Sequence, residues 1–462
     1  MRTPRPKPRS PIKDFLLRSP ARTAVMSFAV VIMVGTILLC LPVSSEAGQW
    51  TAPVDALFTS TSAVCVTGLI VKDTPVYWST FGEVVIMVLI QMGGLGIMTL
   101  GAFLAVMVRQ RVSLHFQEMM MDLHEAEDQD VWTLIRFICI LTAVVEIIGA
   151  ALLFFSWRGH FDTAINCAYV SLFHSISAFC NAGFSLYSDS LVRYQGSISI
   201  NLIMAGLIVM GGIGFMVIHD LGDVVSWHLF DRKGKSPELS THSKLALTVT
   251  AVLLVVGFVV ILLVGSQNGM QDLPWKERVL AALFQSVTPR TAGFNTIPMG
   301  VDKIAGATAF LLMALMFIGG SPGSTAGGIK TTTLGVMISS VVATLKGRSR
   351  AEMFHHSIRA ETVHRVASIV LLSQAAVVGG TFLLLMTEDG AGFLEVIFEA
   401  ISAFGTVGLS VGLTGELSFW GRLIITTLMF LGRLGPITIA LSIAGVEDKA
   451  PYTYPNAHIM VG

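Results

Sequence analysis

Long apolar runs alternate with short polar interruptions along this chain, and eight of the runs reach the roughly 18 residues that mark a membrane-crossing helix. They are Ala24–Val43, Phe81–Val108, Val131–Phe155, Ile198–Ile218, Leu245–Val264, Ala305–Leu345 (interrupted), Val366–Met386 and Leu423–Ala444. Between successive members of each pair lies a helix-like stretch too short to cross: Asp55–Ala63, Ala164–Phe179, Arg278–Val287 and Leu394–Phe404. Each is predicted to enter the membrane and turn back. A turn at that depth leaves backbone carbonyls without helical partners, which is tolerated only beside protein or a water-filled cavity.

The four short stretches carry one pattern. It runs Phe58-Thr-Ser-Thr-Ser-Ala-Val-Cys-Val-Thr-Gly68, Phe173-His-Ser-Ile-Ser-Ala-Phe-Cys-Asn-Ala-Gly183, Phe284-Gln-Ser-Val-Thr-Pro-Arg-Thr-Ala-Gly293 and Phe398-Glu-Ala-Ile-Ser-Ala-Phe-Gly-Thr-Val-Gly408. The closing glycines recur at intervals of 115, 110 and 115 residues, which is room for two spans and a loop. Glycine permits left-handed dihedrals and so lets carbonyls point to one side. Four such turns around an axis form a ring of oxygens able to replace an ion's hydration shell, with the negative ends of four half-helices aimed at the cation. The expectation is a monovalent-cation pore whose selecting residues are Val64, Cys65, Val66, Thr67 and Gly68; Cys180, Asn181, Ala182 and Gly183; Thr291, Ala292 and Gly293; and Gly405, Thr406, Val407 and Gly408. Close packing of continuous helices is the alternative for small residues, but here they follow truncated helices. Pro289 shortens the third turn, and Arg290 reads as an anchor near the external mouth. Asn181 reads as a brace of its loop rather than an ion ligand.

A second repeated mark lies 24 to 28 residues after each closing glycine: Gly93-Gly94-Leu95-Gly96, Gly211-Gly212-Ile213-Gly214, Gly319-Gly320-Ser321-Pro322-Gly323 and Gly432-Arg433-Leu434-Gly435. In the first two copies helix packing is the simpler explanation. The third extends through Gly319, Gly320, Ser321, Pro322, Gly323, Ser324, Thr325, Ala326, Gly327 and Gly328 to Lys330, a composition no helix sustains. It reads as a hydrated break inside the membrane. Arg433 puts a lone charge in an apolar run, where it is expensive. This loop and Arg433 together are expected to form an intracellular gate; a buried ion pair of Arg433 with Glu146 or a pore-helix carboxylate is the alternative. Glu399 is placed to bond amides at the start of its helix. His355, His356 and His364 read as members of a solvated loop.

Composition agrees with a membrane setting: 53% of residues are hydrophobic and 13% charged, against about 25% charged in soluble domains. The formal net charge is zero, so no nucleic-acid partner is indicated. The five cysteines, Cys40, Cys65, Cys139, Cys167 and Cys180, show neither a disulfide framework nor metal spacing. No Ser-His-Asp or HExxH arrangement appears, and the charges at membrane depth are scattered singly, against an intramembrane enzyme. Four pore loops speak against a sensor without a permeation path. Nineteen basic residues fall on the side of the termini and eight on the other, which predicts both termini in the cytosol. The proline-rich arm before the first span reads as cytosolic, and that span as uncleaved.

These motifs resemble the Trk/Ktr/HKT superfamily of potassium transporters, and most of all the membrane subunit of Ktr systems. The resemblance covers about Arg22 to Gly462; beyond the four pore copies it rests on Gly327-Gly-Ile-Lys-Thr331, Gly432-Arg-Leu-Gly-Pro436 and the short tail Tyr454–Gly462. It implies an all-α membrane protein of four covalently linked helix–pore-loop–helix repeats, with eight transmembrane helices and four re-entrant pore helices around a pseudo-fourfold pore. It further implies K+ uptake across a bacterial inner membrane, often Na+-dependent, by a homodimer on a cytosolic regulatory ring of RCK type that binds ATP, ADP or NAD. The corresponding division is an arm (1–22), repeats 1 (23–110), 2 (111–232), 3 (233–350, with the intramembrane loop 319–330) and 4 (351–446), and a cytosolic tail (447–462). An ion-selecting subunit of a K+ pump is the alternative; such subunits carry additional helices. Only one glycine per turn is common to all copies, which predicts lower throughput and weaker discrimination than a four-layer channel.

Overall fold

The computed structural model describes residues 20–107, 131–229, 237–265, 270–271, 273–300 and 303–444. Among the described residues four helices are long and apolar enough to cross a membrane unbroken: α1 (Pro20–Cys40), α4 (Val131–Trp157), α8 (Thr241–Gly265) and α12 (Ala360–Thr387). They turn Val30, Ile37, Ile147, Leu263 and Phe382 outward, where an apolar surrounding suits them. The first helix stops before the predicted end because Pro42 holds Leu41 extended (φ −66°, ψ 143°).

Each unbroken helix is followed by a pore helix: α2 (Pro53–Val64), α5 (Ala164–Phe179), α9 (Trp275–Val287) and α13 (Phe393–Gly405). Proline at the first turn starts α2, and the Thr163 hydroxyl caps α5 by accepting from the Asn166 N–H. The serine two places after the pattern's phenylalanine pins three of these helices to their outer neighbours. Ser60 Oγ donates to the Ile32 carbonyl (2.8 Å), Ser175 Oγ to that of Glu146 (2.7 Å) and Ser286 Oγ to that of Leu254 (2.6 Å). Facing glycines make room, since a Cβ on Gly149 or Gly257 would stand 2.5 or 2.6 Å from the serine hydroxyl. The fourth copy has Ala400 there and packs through Gly380 against Leu428 instead.

The inner members are not the continuous helices predicted for repeats 1, 2 and 4. α3 (Thr80–Met107) kinks at Gly96 (φ 81°, ψ −175°). α6 (Ile198–Ile213) gives way at Gly214 (φ 103°) to α7 (Phe215–Leu229), bent by 103°. α10 (Gly306–Phe317) and α11 (Thr331–Leu345) flank the intramembrane segment. α14 (Phe419–Leu434) ends at Gly435 (φ 82°), and α15 (Pro436–Ala444) leaves it at 93°. In the first, second and fourth copies the last glycine of the second mark is the break, whereas in the third the helix already ends at Phe317. Helical bonds lost there are replaced through tertiary contacts, as when the Phe215 N–H donates to the Gly323 carbonyl (2.9 Å), or are not missed, because Pro436 has no N–H to lose.

Inner helices pack on the next copy's pore helix, α3 on α5, α6 on α9, α10 on α13 and α14 on α2. The last contact returns the chain to its beginning and closes the arrangement. A two-stranded hairpin, Glu352–Met353 with His356–Ser357, joins α11 to α12. It turns at Phe354 and His355, both at positive φ, and its histidines are exposed.

Candidate functional site

The four turns share one backbone solution. In each, a non-glycine residue at positive φ precedes the closing glycine by two: Val66 (56°) and Gly68 (89°), Asn181 (60°) and Gly183 (72°), Thr291 (75°) and Gly293 (75°), Thr406 (50°) and Gly408 (90°). Left-handed dihedrals at alternate residues turn successive carbonyls toward the same side of the strand. A backbone bond ties each turn to its pore helix: Thr67 N–H to Ser62 O (2.8 Å), Ala182 N–H to Ser177 O (2.7 Å), Ala292 N–H to Thr288 O (2.9 Å) and Val407 N–H to Ser402 O (2.9 Å). The third bond spans one residue fewer than the others, which accommodates the shorter pattern beside Pro289.

The glycines meet in a ring. A Cβ on Gly68 would stand 3.0 Å from the Gly183 Cα, one on Gly183 3.1 Å from that of Gly293, one on Gly293 3.2 Å from that of Gly408, and one on Gly408 3.1 Å from that of Gly68. Three of the four hairpins are also closed by a hydroxyl four residues after the phenylalanine. Ser62 Oγ accepts from the Gly68 N–H (3.0 Å), Ser177 Oγ donates to the Phe184 carbonyl (2.7 Å) and Thr288 Oγ1 to that of Phe294. A Ser or Thr stands at this place in all four copies, a repeated signal that the sequence reading passed over. All the turn residues named from sequence are therefore brought together around one axis: the cysteines Cys65 and Cys180 and the residues Val64, Ala182, Ala292 and Val407 are fully buried, with Gly405 and Thr406 beside them.

Directly beneath lies the segment Gly319–Gly328. Gly319 N–H donates to the Ile329 carbonyl (2.8 Å), so the segment leaves and rejoins the inner helix at one level. A Cβ on Gly319 would sit 3.3 Å from Thr291 Cγ2 and one on Gly328 3.3 Å from the Gly405 carbonyl, while one on Gly327 would collide with the Thr406 hydroxyl. Ser321 Oγ meets Thr331 Oγ1 (3.1 Å), Ser324 Oγ donates to the Ser321 carbonyl (2.6 Å), and Lys330 Nζ donates to that of Ala326 (2.6 Å). Gly320, Pro322 and Gly323 complete the loop, with the Gly323 carbonyl bonded to α7.

Arg433 is buried and donates to two backbone carbonyls, Thr325 O from Nη1 and Gly93 O from Nη2. Among the described residues its partners are carbonyls rather than the carboxylates offered as the alternative. Glu146 instead lies against Cys180 (Sγ to Oε1 3.7 Å). Gly93 itself abuts the Val64 carbonyl, and Gly432 and Gly211 abut those of Phe404 and Phe179. In the first, second and fourth copies the first glycine of the second mark is thus a packing residue and the last is the break.

Two expectations need correction. Arg290 is not at an external mouth: it is buried and donates to Gly319 O (3.0 Å) and Thr250 O (3.4 Å), joining the third turn to the intramembrane segment below it. A lone guanidinium inside the membrane is costly, and this one is satisfied by one carbonyl freed by the helix break, Gly319 O, and one of the unbroken α8, Thr250 O. Glu399 does not serve the start of its helix, where the Gly392 N–H is taken by Glu395 Oε2 (3.1 Å). Its carboxylate accepts from Thr414 Oγ1 (2.6 Å), the Val411 N–H (3.3 Å) and Ser410 Oγ, all beyond the fourth turn. The tail Tyr454–Gly462 and most of the N-terminal arm lie outside the described residues.

Residues 9–450 match the TrkH family, described as a cation transport protein. The chain is 37% identical over 452 residues to the potassium/sodium uptake protein NtpJ of Enterococcus hirae, covering 96% of this chain and 97% of that one. It is 37% identical to the Ktr system potassium uptake protein B of Bacillus subtilis (96% and 97% covered) and 38% identical to that of Vibrio alginolyticus (96% and 94%). In fold it is similar to the crystal structure of the potassium transporter TrkH from Vibrio parahaemolyticus, with a TM-score of 0.67 at 19% identity over 92% of this chain and 85% of the other. With four helix–pore-loop–helix repeats closed into a ring and a family match over nearly its whole length, the chain belongs to the TrkH family of cation transport proteins, a family of transporters and not of enzymes.

Proposed function

We propose that the chain takes up K+ across the bacterial inner membrane through a single pore along the axis of the four hairpins. The observation that carries this is the cyclic contact of Gly68, Gly183, Gly293 and Gly408, which surrounds one path with turn backbone. The carbonyls of Val64–Gly68, Cys180–Gly183, Thr291–Gly293 and Gly405–Gly408 then replace the water of a dehydrating K+. Glycine in all four closing positions favours K+ over Na+. The uptake activities named for the Enterococcus, Bacillus and Vibrio relatives support the same substrate.

In this reading the segment Gly319–Lys330 and Arg433 form the gate on the cytosolic side. A fixed guanidinium beside the path raises the barrier to a cation, and the loop fills the space below the turns. Both termini lie in the cytosol. The protein works as a homodimer on a cytosolic RCK-type ring that binds ATP, ADP or NAD, and Na+ activates or accompanies the uptake. The Ktr relatives' designation as a system supports a second component.

Reconstitution into liposomes tests the proposal. Preference for K+ and Rb+ over Na+ and Li+ is the expected result, and equal flux of all four ions would overturn it. Growth rescue of a strain deficient in potassium uptake, with and without Na+, tests the sodium requirement separately.

A further inference from the structure

We propose that Thr325, a residue of the intramembrane segment, is a positioning residue for ion selection as well as part of the barrier. The inference rests on the reading that the hairpins choose the ion. Thr325 is 1% exposed. Its hydroxyl donates to the carbonyl oxygen of Phe179 (3.1 Å) and accepts from the Asn181 amide N–H (3.0 Å); with that amide turned over, the one hydroxyl hydrogen is shared between the Phe179 and Asn181 oxygens. Its N–H donates to the Gly211 carbonyl (3.2 Å), and its own carbonyl accepts from Arg433.

One side chain therefore reaches both halves of the second hairpin. Phe179 is the last residue of the pore helix, whose carbonyl has no helical partner to find. Asn181 is the residue held at positive φ (60°), two places before Gly183. The dihedrals of Asn181 decide where the carbonyls of Cys180 and Asn181 point, and its side chain is fastened to Thr325. The third hairpin is tied to the segment by Arg290, which donates to the Gly319 carbonyl (3.0 Å) and lies outside the residues at positive φ, and the fourth meets it through van der Waals contact of Gly327 and Gly328 with Thr406 and Gly405. A plug needs only such contact. A hydrogen-bonded side chain anchored on its other sides by Gly211 and Arg433 acts as a brace, and it fixes the width and the carbonyl directions of the turn above it.

The test is the ratio of K+ to Na+ flux through the full-length protein in liposomes, for wild type, Thr325→Val and Thr325→Ser. Valine keeps the shape and removes the hydroxyl; serine keeps the hydroxyl. Thr325→Val is expected to lower the ratio by about fivefold, the factor equivalent to one net hydrogen bond, and Thr325→Ser to hold it near wild type. If Thr325→Val changes K+ and Na+ flux by the same factor, the residue is only part of a barrier and the inference is overturned. Should Thr325→Val fail to yield folded protein, Asn181→Gly decides, because it keeps the positive φ and removes the amide; an unchanged ratio there overturns the inference equally. A wild-type protein without K+ preference would instead sink the reading of the hairpins themselves.

Discussion

Gly408 of the last hairpin packs against Gly68 of the first: a Cβ on Gly408 would lie 3.1 Å from the Gly68 Cα and would collide with the Thr67 carbonyl oxygen. This contact closes the ring between the two ends of the chain. Alanine at Gly408 is expected to abolish uptake, because it imposes both backbone strain and that collision. Gly48→Ala is the control: φ there is 64° but nothing lies within 4 Å, so it costs about 1 kcal/mol of strain and leaves uptake unchanged. Rubidium uptake by proteoliposomes compares the two.

Arg433 holds the segment below the turns at Thr325 and the first inner helix at Gly93. Replacing it by alanine removes a positive charge and both ties at once, and K+ flux is expected to rise several-fold. Arg433→Lys keeps the charge but cannot span both carbonyls, so its flux should fall between the two. Equal flux in all three proteins would argue against a gate at this place.

At the N-terminal end of α2, Asp55 is buried and paired with Arg422 (2.5 Å) and Lys72 (3.5 Å). The carboxylate sits in the helix's first turn, where negative charge is favoured, and Arg422 belongs to α14, so the pair joins the first repeat to the last. Arg422→Ala leaves a buried carboxylate short of its main partner and is expected to cost about 3 kcal/mol, read as a lower Tm in detergent. Asp55→Asn in the same protein should recover most of the loss, since the uncompensated charge is then gone.

Ser177 tests the hydroxyl closures. Ser177→Ala removes the bond to the Phe184 carbonyl and is expected to lower stability by about 1 kcal/mol while reducing the K+ to Na+ flux ratio. An unchanged ratio would show that the backbone bonds alone set the turn.

The hairpins are legible in the sequence because their demands are local. Each needs glycine nine or ten residues after the phenylalanine of a truncated helix, and four copies multiply a signal that one would not carry. The breaks at Gly96, Gly214 and Gly435 are not legible in the same way. Two or three glycines within an apolar run suit a tightly packed helix and a broken one alike; what permits the break is a distant partner such as Gly323 for Phe215, or, after Gly435, the proline that has no N–H to lose. The placement of Arg290 fails for a related reason. Hydropathy marks it as costly but says nothing of depth, and its acceptors, Thr250 and Gly319, lie 40 and 29 residues away in the chain. Glu399 likewise finds Ser410 and Thr414 across a turn whose geometry only the fold supplies.

The right-angled turns after α6 and α14 carry an electrical consequence. Sixteen-residue α6 rises only about 24 Å, and α7 then runs sideways, so the inner wall on that side is shorter than the bilayer is thick. In the permeation reading, most of the membrane voltage falls across the hairpins and the segment beneath them. A potential of about 100 mV is worth about 2.3 kcal/mol per elementary charge crossing it, so the interior-negative cell pulls on the cation at the constriction itself.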